Sequence, residues 1–370
     1  MNSGSPVRGI PRPLVDTTLL SNAPGARDVG AAHRLYEHLI SLWAPGVIEA
    51  AHDLGVFERL ADGPTTSARL AADLGTDGQA TRVLLDALAA YDIVRRGPGE
   101  NGAVAYTLPD ELRECLLPDG LFSLTGKMSY DRQLAWDAWR NLADAVRGGA
   151  VGADGSRSAN GISEPHYRNL VRGLNFWAPP IVDVLSTALL DLGWSPDRRA
   201  TMVDVGCGTG IYSHLLLDRF PELTAVGLDV SGIVPLARRQ SERLDVAGRF
   251  DARVLDFWNE DWGEGFDLVL FVNIFHLQTP GSAQELLRRA TKALADDGVV
   301  AVVDQVVTSG ASQPSIQDRF AWLFAASMLA TGGGDAYTAE NYDEWLDNVG
   351  LRRVAMLDTP MHRVLLGGWL

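Results

Sequence analysis

The chain has 370 residues, of which 46% are hydrophobic and 21% are charged, a composition typical of a globular protein with a sizeable core. Its net charge of −15 argues against binding to nucleic acid or to an anionic membrane, because both require clustered Lys and Arg. Two cysteines, Cys115 and Cys207, are too few for a disulfide framework and suit the reducing cytoplasm. The longest apolar runs span only a few residues, so we expect a soluble protein without a transmembrane helix.

The first third of the chain predicts a leader followed by a small helical domain. Residues 1–29 are rich in Pro, Gly and Ser without an apolar core segment, which predicts a flexible leader. Apolar residues then recur at helical spacing from about His33 to Asp53, and two more helical patterns follow. The segment VRRGPGENGAVAYTL indicates two short strands around a Gly-rich tip. This order of helices and hairpin predicts a winged helix over residues 30–112.

Residues 113–192 are predicted to form a helical region that lines a substrate pocket and links two domains. The low-complexity loop 148–161 is the best candidate linker. A helix is expected over residues 164–192, interrupted by Pro179 and Pro180.

Aromatic and Met side chains in these helices, and in the later segment RFAWLFAASMLATGGG with Phe320 and Phe324, are candidates for a pocket around a planar or branched substrate. Such residues at helical spacing also form ordinary cores, so we expect about half of them to contact substrate. Arg132 is the cation among these candidates, and it can bind a carboxylate of the substrate or remain a solvated charge on its helix. The predicted substrate contacts are Met128, Tyr130, Arg132, Phe176, Trp177, Trp322 and Met328.

From residue 193 onward, strand and helix patterns alternate, which predicts a doubly wound, Rossmann-like α/β sheet over 193–370. The strand patterns are TMVDVG, TAVGLDV, ARVLDF, FDLVLFVN, VVAVVDQV, LRRVAML and HRVLLGG. Only a short turn joins the last two, so the final strand is expected to run antiparallel. The fold class predicted for the chain is therefore α/β, with a mainly α winged-helix domain in front.

A glycine-rich turn between the first of these strands and the next helix provides the first functional signal. Gly206, Gly208 and Gly210 lie in MVDVGCGTGIYSHLLLDRF, where a ligand can approach the backbone at a helix N-terminus. A dinucleotide fingerprint would have glycine in place of Ile211 and would not require Asp204 before the first glycine. A carboxylate here repels a pyrophosphate but suits a cationic ligand such as S-adenosylmethionine, which carries a sulfonium and an ammonium.

Polar side chains at the ends of the following strands strengthen this interpretation. Asp229, 19 residues past Gly210, can accept hydrogen bonds from both hydroxyls of a ribose. Asp256 can take an adenine amino group and Phe257 can flank the base, and we assign Asn273 to the same cofactor site. Each acid alone would be read as a solvated strand-end residue, but together they favour a nucleoside site over a tight turn without a ligand.

These motifs resemble those of class I S-adenosylmethionine-dependent methyltransferases. The winged-helix front half narrows the resemblance to plant caffeate-type and actinomycete natural-product O-methyltransferases, over nearly all of residues 30–370. The resemblance implies S-adenosylmethionine as cofactor, a small-molecule substrate, a place in the biosynthesis of compounds such as antibiotics, and a homodimer formed through the N-terminal domain. An apolar winged helix also suits a subunit interface better than DNA, because no basic cluster extends beyond Arg95 and Arg96.

His276, in FDLVLFVNIFHLQTP, is the candidate general base. It follows the fourth strand at the carboxyl edge of the sheet, and an imidazole can take a proton from a hydroxyl that attacks the sulfonium methyl. Asp304 ends the next strand and can hold the imidazole tautomer. In the resembled family a His at the matching position is the base and acids flank it, which assigns catalytic roles to His276, Asp304 and Asp335. Leu277 departs from the family, where an Asp usually follows the His.

Other interpretations remain open at this point. The chain could instead methylate a carbon atom, in a 2-oxo acid or an aromatic ring, with a metal held by His276 and Asp304. The presence of Leu277 in place of the usual Asp is compatible with this alternative. Only one His is well placed, however, so no metal site is predicted. His276 could also be a strand-end residue bonded only to backbone. Ile211 and Asp204 argue against a NAD-dependent dehydrogenase.

Overall fold

The computed structural model describes residues 26–148, 164–308 and 313–369. They belong to two compact units, one ending at Gly120 and the other beginning at Leu121. The predicted leader up to residue 25, and nearly all of the predicted linker, lie outside the described residues. The structure groups the described residues of 121–192 with the sheet that follows them. The functional division of the chain into four regions stays a prediction.

The first unit is a helical domain with a small antiparallel sheet, as predicted. Its strands lie in the order β1-β3-β2, so that β2 and β3 form the expected hairpin. The helices are α1 (Ala26–Ile40), α2 (Trp43–Asp53), α3 (Val56–Ala61), α4 (Ser67–Leu74), α5 (Gly78–Ala90) and α6 (Asp110–Leu116), and the strands are β1 (Thr65–Thr66), β2 (Arg95–Pro98) and β3 (Val104–Thr107).

Local signals explain where these helices begin and what joins them to the hairpin. The Thr66 hydroxyl accepts a hydrogen bond from the Arg69 N–H at the start of α4, which satisfies a donor that the helix itself cannot. Tyr106 of β3 is buried, and its hydroxyl donates to Asp86 of α5 over 2.8 Å. The hairpin is therefore tied to the helical layer by a side-chain hydrogen bond as well as by packing.

The second unit is a seven-stranded sheet with helices on both faces. Its helices are α7 (Thr125–Tyr130), α8 (Trp136–Arg140), α9 (Leu142–Val146), α10 (Glu164–Arg172), α11 (Ala178–Asp191), α12 (Ile211–Arg219), α13 (Val234–Arg243), α14 (Pro280–Ala293), α15 (Ile316–Thr331) and α16 (Ala339–Asp347). Its strands are β4 (Ala200–Val205), β5 (Leu223–Asp229), β6 (Phe250–Val254), β7 (Phe266–Val272), β8 (Leu294–Asp304), β9 (Leu351–Asp358) and β10 (Arg363–Trp369).

The interruption predicted within residues 164–192 lies between α10 and α11. Pro179 and Pro180 occupy the first turn of α11, where a missing N–H costs no helical hydrogen bond. The two prolines therefore start the second helix instead of breaking one long helix.

The sheet has the order β6-β5-β4-β7-β8-β10-β9. The first five strands in that order are parallel, and β10 runs antiparallel to both of its neighbours. This confirms both the doubly wound sheet and the antiparallel last strand. The central strands are mostly apolar because both of their faces are buried, one against α11, α12 and α13 and the other against α14 and α16.

The topology determines where a ligand can bind. The carboxyl ends of the five parallel strands meet at one edge of the sheet, and adjacent strands lie about 4.8 Å apart. The loop after β4 is thus a neighbour of the turn after β7, which in turn is a neighbour of the end of β8. No helix among the described residues is long and apolar enough to cross a membrane.

Candidate active site

The glycine loop between β4 and α12 has a backbone that only glycine adopts easily. Gly206, Gly208 and Gly210 have φ values of 73°, 58° and 74°, all in the left-handed region. A Cβ atom on Gly206 would lie 2.5 Å from Cδ1 of Ile274, whereas the nearest atom to a Cβ on Gly208 would be 3.9 Å away, on Val171. The loop is therefore packed tightly at its start and leaves room at its middle glycine, as close approach by a ligand requires.

Asp229, at the end of β5, faces this loop. Its carboxylate accepts hydrogen bonds from the backbone N–H groups of Gly208 at 2.9 Å and Val230 at 2.8 Å. Burial raises the pKa of Asp229 to about 6, although these two hydrogen bonds oppose the shift. Within the described part of the chain, Asp229 forms no ion pair. A ligand that donates hydroxyl hydrogen bonds would stabilise its charged form.

Asp204 lies on β4 just before the loop and is buried. Its carboxylate accepts a hydrogen bond of 2.6 Å from the Ser213 hydroxyl in the first turn of α12. Burial raises the pKa of Asp204 to about 7, and the negative charge of Asp229 adds to the shift while Ser213 opposes it. The observed contact joins β4 to α12, and the predicted contact of Asp204 with a cationic ligand stays a prediction.

Asp256 and Phe257 follow β6, at the edge predicted for them. The exposed Asp256 carboxylate accepts hydrogen bonds from the Trp258 backbone N–H at 2.9 Å and from the Asn259 amide at 2.7 Å. Phe257 is half-buried, with its ring centroid 5.5 Å from that of Trp258. These contacts link the residues of the turn, and the adenine contacts expected of Asp256 and Phe257 stay a prediction.

Asn273, the residue after β7, was assigned to the cofactor, but its side chain meets a residue that sequence reasoning passed over. Asn273 has a φ of 58°, unusual for a residue with a side chain, and its backbone N–H donates to the carbonyl of Val303. Its Oδ1 accepts a 3.0 Å hydrogen bond from Nε2 of His362. A cofactor contact of Asn273 stays a prediction.

His276 and Asp304 form a buried pair at the ends of β7 and β8. The imidazole Nδ1–H donates to Asp304 Oδ1 over 2.8 Å, and the His276 backbone N–H donates to Oδ2 over 3.0 Å. Burial would raise the pKa of Asp304, but the facing His276 ring and the hydrogen bonds to the carboxylate hold it below its ordinary value. Nε2 of His276 has no hydrogen-bond partner among the residues that the structure describes. The pair therefore presents the lone pair of Nε2 to whatever binds at this edge.

Asp335, the second predicted acid, approaches His276 through its backbone. Its N–H donates to the carbonyl of His276 over 2.9 Å, while its exposed carboxylate accepts from the N–H of Ala336. A Cβ on Gly334 would lie 2.4 Å from the His276 oxygen, so the glycine run allows this close contact. The structure thus brings the Asp335 backbone to His276 and leaves its carboxylate in solvent.

Helix α15 supplies the apolar side chains next to His276. The Phe324 ring meets the imidazole edge-on at 4.8 Å and stacks with Phe320 at 6.2 Å. Met328 of the same helix packs against the position of Gly334. Buried Tyr130 of α7 hydrogen-bonds to Thr331 at the end of α15, and Met128, two residues earlier in α7, is also buried.

The remaining predicted substrate contacts fall into two groups. Phe176 and Trp177 pack on each other at 5.6 Å, and Trp177 meets the ring of His362 at 4.7 Å. Trp322 is 52% exposed and Arg132 is also exposed. The structure therefore brings Met328 to Gly334, beside the His276 carbonyl, places Trp177 against His362 with Phe176 packed on Trp177, and leaves Trp322 and Arg132 exposed.

A buried arginine anchors the start of α15. Arg363 of β10 forms hydrogen bonds with Asp318 at 2.6 Å, Ser315 at 2.8 Å and Asp358 at 2.8 Å. Asp318 also accepts from the Thr308 backbone N–H, so residues 308 and 315 are held by one carboxylate. Two of these ion-paired side chains, Arg363 and Asp318, are almost fully buried, and breaking the pair would leave an uncompensated charge.

Further residues at the glycine loop were not predicted. The Thr209 hydroxyl donates to Asn175 Oδ1 at 2.6 Å, the Asn175 amide donates to Gln240, and the Gln240 amide donates to the Thr209 carbonyl. Tyr167 of α10 lies close enough to Asp229 that this charge, after burial, contributes to raising the Tyr167 pKa. The only sequence signal for it is the spacing of Tyr167 and Val171, which places both on one face of α10.

The described residues contain no group of three or more His, Cys, Asp or Glu side chains arranged to hold a metal ion. Asp304 is already engaged, because Oδ1 accepts from the His276 ring and from the Gln305 N–H while Oδ2 accepts from the His276 N–H. This arrangement is that of a His–carboxylate pair rather than of two ligands converging on a metal.

Comparisons with known proteins agree with this geometry. The family model of a methyltransferase domain matches residues 203–300, and the family model of the O-methyltransferase dimerisation domain matches residues 36–110. Acetylserotonin O-methyltransferase of Bos taurus is 26% identical, over 86% of this chain and 92% of its own length. The mitomycin biosynthesis 6-O-methyltransferase of Streptomyces lavendulae is 25% identical, over 89% of this chain and 92% of its own length. Human N-acetylserotonin methyltransferase, solved with S-adenosylmethionine, has the same fold, with a TM-score of 0.77, 20% identity, and coverage of 94% of this chain and 99% of that chain.

Proposed function

We propose that this chain, which belongs to the S-adenosylmethionine-dependent methyltransferases, transfers a methyl group to a hydroxyl oxygen of a small aromatic molecule, with His276 as the general base. The observation that carries the proposal is the His276–Asp304 pair. Its hydrogen bonds occupy Nδ1 and leave Nε2 free at the edge of the sheet that also holds the glycine loop. The general base for the acceptor hydroxyl and the proposed binding site for the methyl donor therefore lie at the ends of neighbouring strands.

The residues at the glycine loop fit the cofactor. The open space at Gly208 admits a ligand close to the backbone, and the buried Asp229 carboxylate next to it suits the two hydroxyls of a ribose. Gly206, Gly208 and Gly210 would line the methionine end, and Asp256 with Phe257 would hold the adenine. Bound S-adenosylmethionine supplies an electrophilic methyl group on a positively charged sulfur.

The chemistry of the chain's own residues follows from the pair. Nε2 of His276 takes the proton of the acceptor hydroxyl as its oxygen attacks the methyl carbon. Asp304 holds the ring in the tautomer with the proton on Nδ1 and stabilises the imidazolium that forms. Phe324 and Phe320 keep water away from the reacting groups, which favours a displacement that consumes charge.

The substrate class is proposed from the apolar side chains of α15 and from the relatives. The relatives include O-methyltransferases of acetylserotonin, of mitomycin biosynthesis and of 3-hydroxy-5-methyl-1-naphthoate. A planar phenol next to Phe324 agrees with both. Methylation of carbon remains a second candidate, because an L-tyrosine C(3)-methyltransferase of Streptomyces lavendulae is also 23% identical.

We also propose a cytoplasmic homodimer formed through the first unit, in which nucleic acid has no role. Several large apolar side chains of α1 and α2, and of the turn between them, lie between 51% and 62% exposed; they are Leu35, Tyr36, Leu39, Leu42 and Trp43. Apolar side chains in such number at neighbouring positions are typical of a subunit interface. The match of residues 36–110 to a dimerisation domain supports the same surface.

The test is methyl transfer from S-adenosylmethionine carrying a deuterated methyl group to N-acetylserotonin, 3-hydroxy-1-naphthoate and a series of related phenols. Mass spectrometry detects transfer, and NMR locates the label on oxygen or carbon. We expect label on a phenolic oxygen with the wild-type protein and a loss of about a hundredfold or more with His276→Ala. Label on a ring carbon would establish the second candidate, and full activity of His276→Ala would refute the role of the base.

A further inference from the structure

The turn that follows β7 depends on one residue in an unusual conformation. Asn273 has a φ of 58°, in the left-handed region, which Asn enters more readily than most residues with a side chain but which still costs more than the ordinary backbone regions. Its backbone N–H is bound by the carbonyl of Val303 on β8. The left-handed conformation turns the chain out of the sheet and into the short 3-10 turn Phe275–Leu277.

This single turn sets two parts of the site. Ile274 follows Asn273 and packs so closely against the glycine loop that a Cβ on Gly206 would lie 2.5 Å from its Cδ1. His276 follows two residues later, and its backbone N–H and ring are both bound by Asp304. A change in the conformation of Asn273 would therefore shift the support of the cofactor loop and the base together.

His362, in the turn between β9 and β10, holds the Asn273 side chain. Its Nε2–H donates to Asn273 Oδ1 over 3.0 Å, and the imidazole is 1% exposed. The ring is fixed in turn by an edge-on contact with Trp177 and by a backbone that exchanges hydrogen bonds with Thr359. Burial lowers the pKa of His362 to about 4, so the ring is neutral at physiological pH and keeps the tautomer that donates from Nε2.

We propose that His362 is a positioning residue for methyl transfer. Its hydrogen bond to Asn273 holds the left-handed turn. This turn keeps Ile274 packed against the glycine loop and His276 oriented toward the acceptor. The inference rests on the proposed role of His276 for its effect on turnover. Its effect on the glycine loop does not depend on that role, so the two can be tested apart.

The decisive experiment is a double-mutant cycle between His362→Phe and Asn273→Gly. Phenylalanine keeps a ring against Trp177 but has no donor, whereas glycine accepts the left-handed φ but has no side chain to hold. Calorimetry measures the affinity for S-adenosylhomocysteine, which depends on how Ile274 packs against the glycine loop. NMR of the hydrogen-bonded Nδ1–H proton of His276 reports on the pair with Asp304. Asn101→Gly, at a left-handed Asn in the hairpin of the first unit, is the matched control.

We expect His362→Phe to weaken S-adenosylhomocysteine binding about tenfold, to broaden the His276 Nδ1–H resonance, and to lower kcat more than it raises the KM of the acceptor. The double variant should lose no more than His362→Phe alone, because both changes remove the same bond. His362→Gln, whose amide can donate from a similar position, should recover most of the binding and the resonance. Asn101→Gly should change none of these quantities.

Additive losses in the cycle, or wild-type binding and an unchanged resonance in His362→Phe, would overturn the inference. If His362→Phe does not fold, the pair Asn273→Gly and His362→Gln tests the same bond from both sides. A cycle that shows coupling in binding, together with full turnover by His276→Ala, would support the positioning of the loop while refuting the general base.

Discussion

Both oxygens of the Asp304 carboxylate accept hydrogen bonds from His276, one from the ring and one from the backbone. Asp304→Asn keeps the size of the side chain but removes the charge that stabilises an imidazolium, and its amide can present a donor to Nδ1. We therefore expect kcat to fall about a hundredfold while affinity for S-adenosylhomocysteine is retained. Steady-state kinetics and calorimetry measure the two. Asp251→Asn, at an exposed carboxylate paired with Arg253, is the control, and equal kcat values for both variants would contradict the assignment.

The buried acids at the glycine loop predict how stability depends on pH. Burial raises the pKa of Asp204 to about 7 from an ordinary value of 3.8, so the folded protein holds this proton at pH values where the unfolded chain has lost it. The contribution to stability is then complete below about pH 4 and disappears as the pH rises through 7. Relative to wild type, Asp204→Asn should become more stable between pH 4 and 8 by on the order of a few kcal/mol, as measured by urea unfolding. Parallel pH profiles for the two proteins would show that Asp204 is not protonated in the fold.

At the scale of elements, the strand–loop–helix unit β4–α12 carries the cofactor site. Gly206→Ala would put a methyl group against Ile274 in a backbone conformation that alanine disfavours. We expect a loss of about 1–3 kcal/mol in the free energy of unfolding and about tenfold weaker binding of S-adenosylhomocysteine. Gly248→Ala is the matched control, since no atom lies within 4 Å of its Cβ position. If calorimetry and urea unfolding give the same values for both variants, the tight start of the loop has no role in binding.

The elements and the edge residues of the sheet were predictable from the sequence because their signals are local. Apolar runs mark buried strands, glycines mark the turn after β4, and parallel strands bring Asp229 and Asp304 to one edge. Contacts between distant segments were not predictable: Asn273 and His362 are 89 positions apart, and no pattern links them. The direction of the Asp335 carboxylate was equally hidden, because the three glycines before it leave the backbone free to take many conformations.

For the whole molecule, the exposed apolar surface of α1 and α2 predicts a homodimer in solution. Light scattering should give twice the 39.9 kDa mass of one chain. Leu39→Glu places a charge among the exposed apolar side chains and should yield monomers. Val354→Glu changes an exposed apolar residue of the second unit and serves as the control. A wild-type monomer, or a Leu39→Glu dimer as stable as that of the control, would place the interface elsewhere.

The most direct test of the whole account is a calorimetric titration of the purified protein with S-adenosylhomocysteine, beside the same titration of Asp229→Asn. Asp229 is buried against the Gly208 N–H and offers its carboxylate at the centre of the glycine loop site. The account predicts one binding site per chain in the wild-type protein and binding at least about tenfold weaker in the variant. Absence of binding to the wild-type protein, or equal affinity of the two proteins, would contradict it.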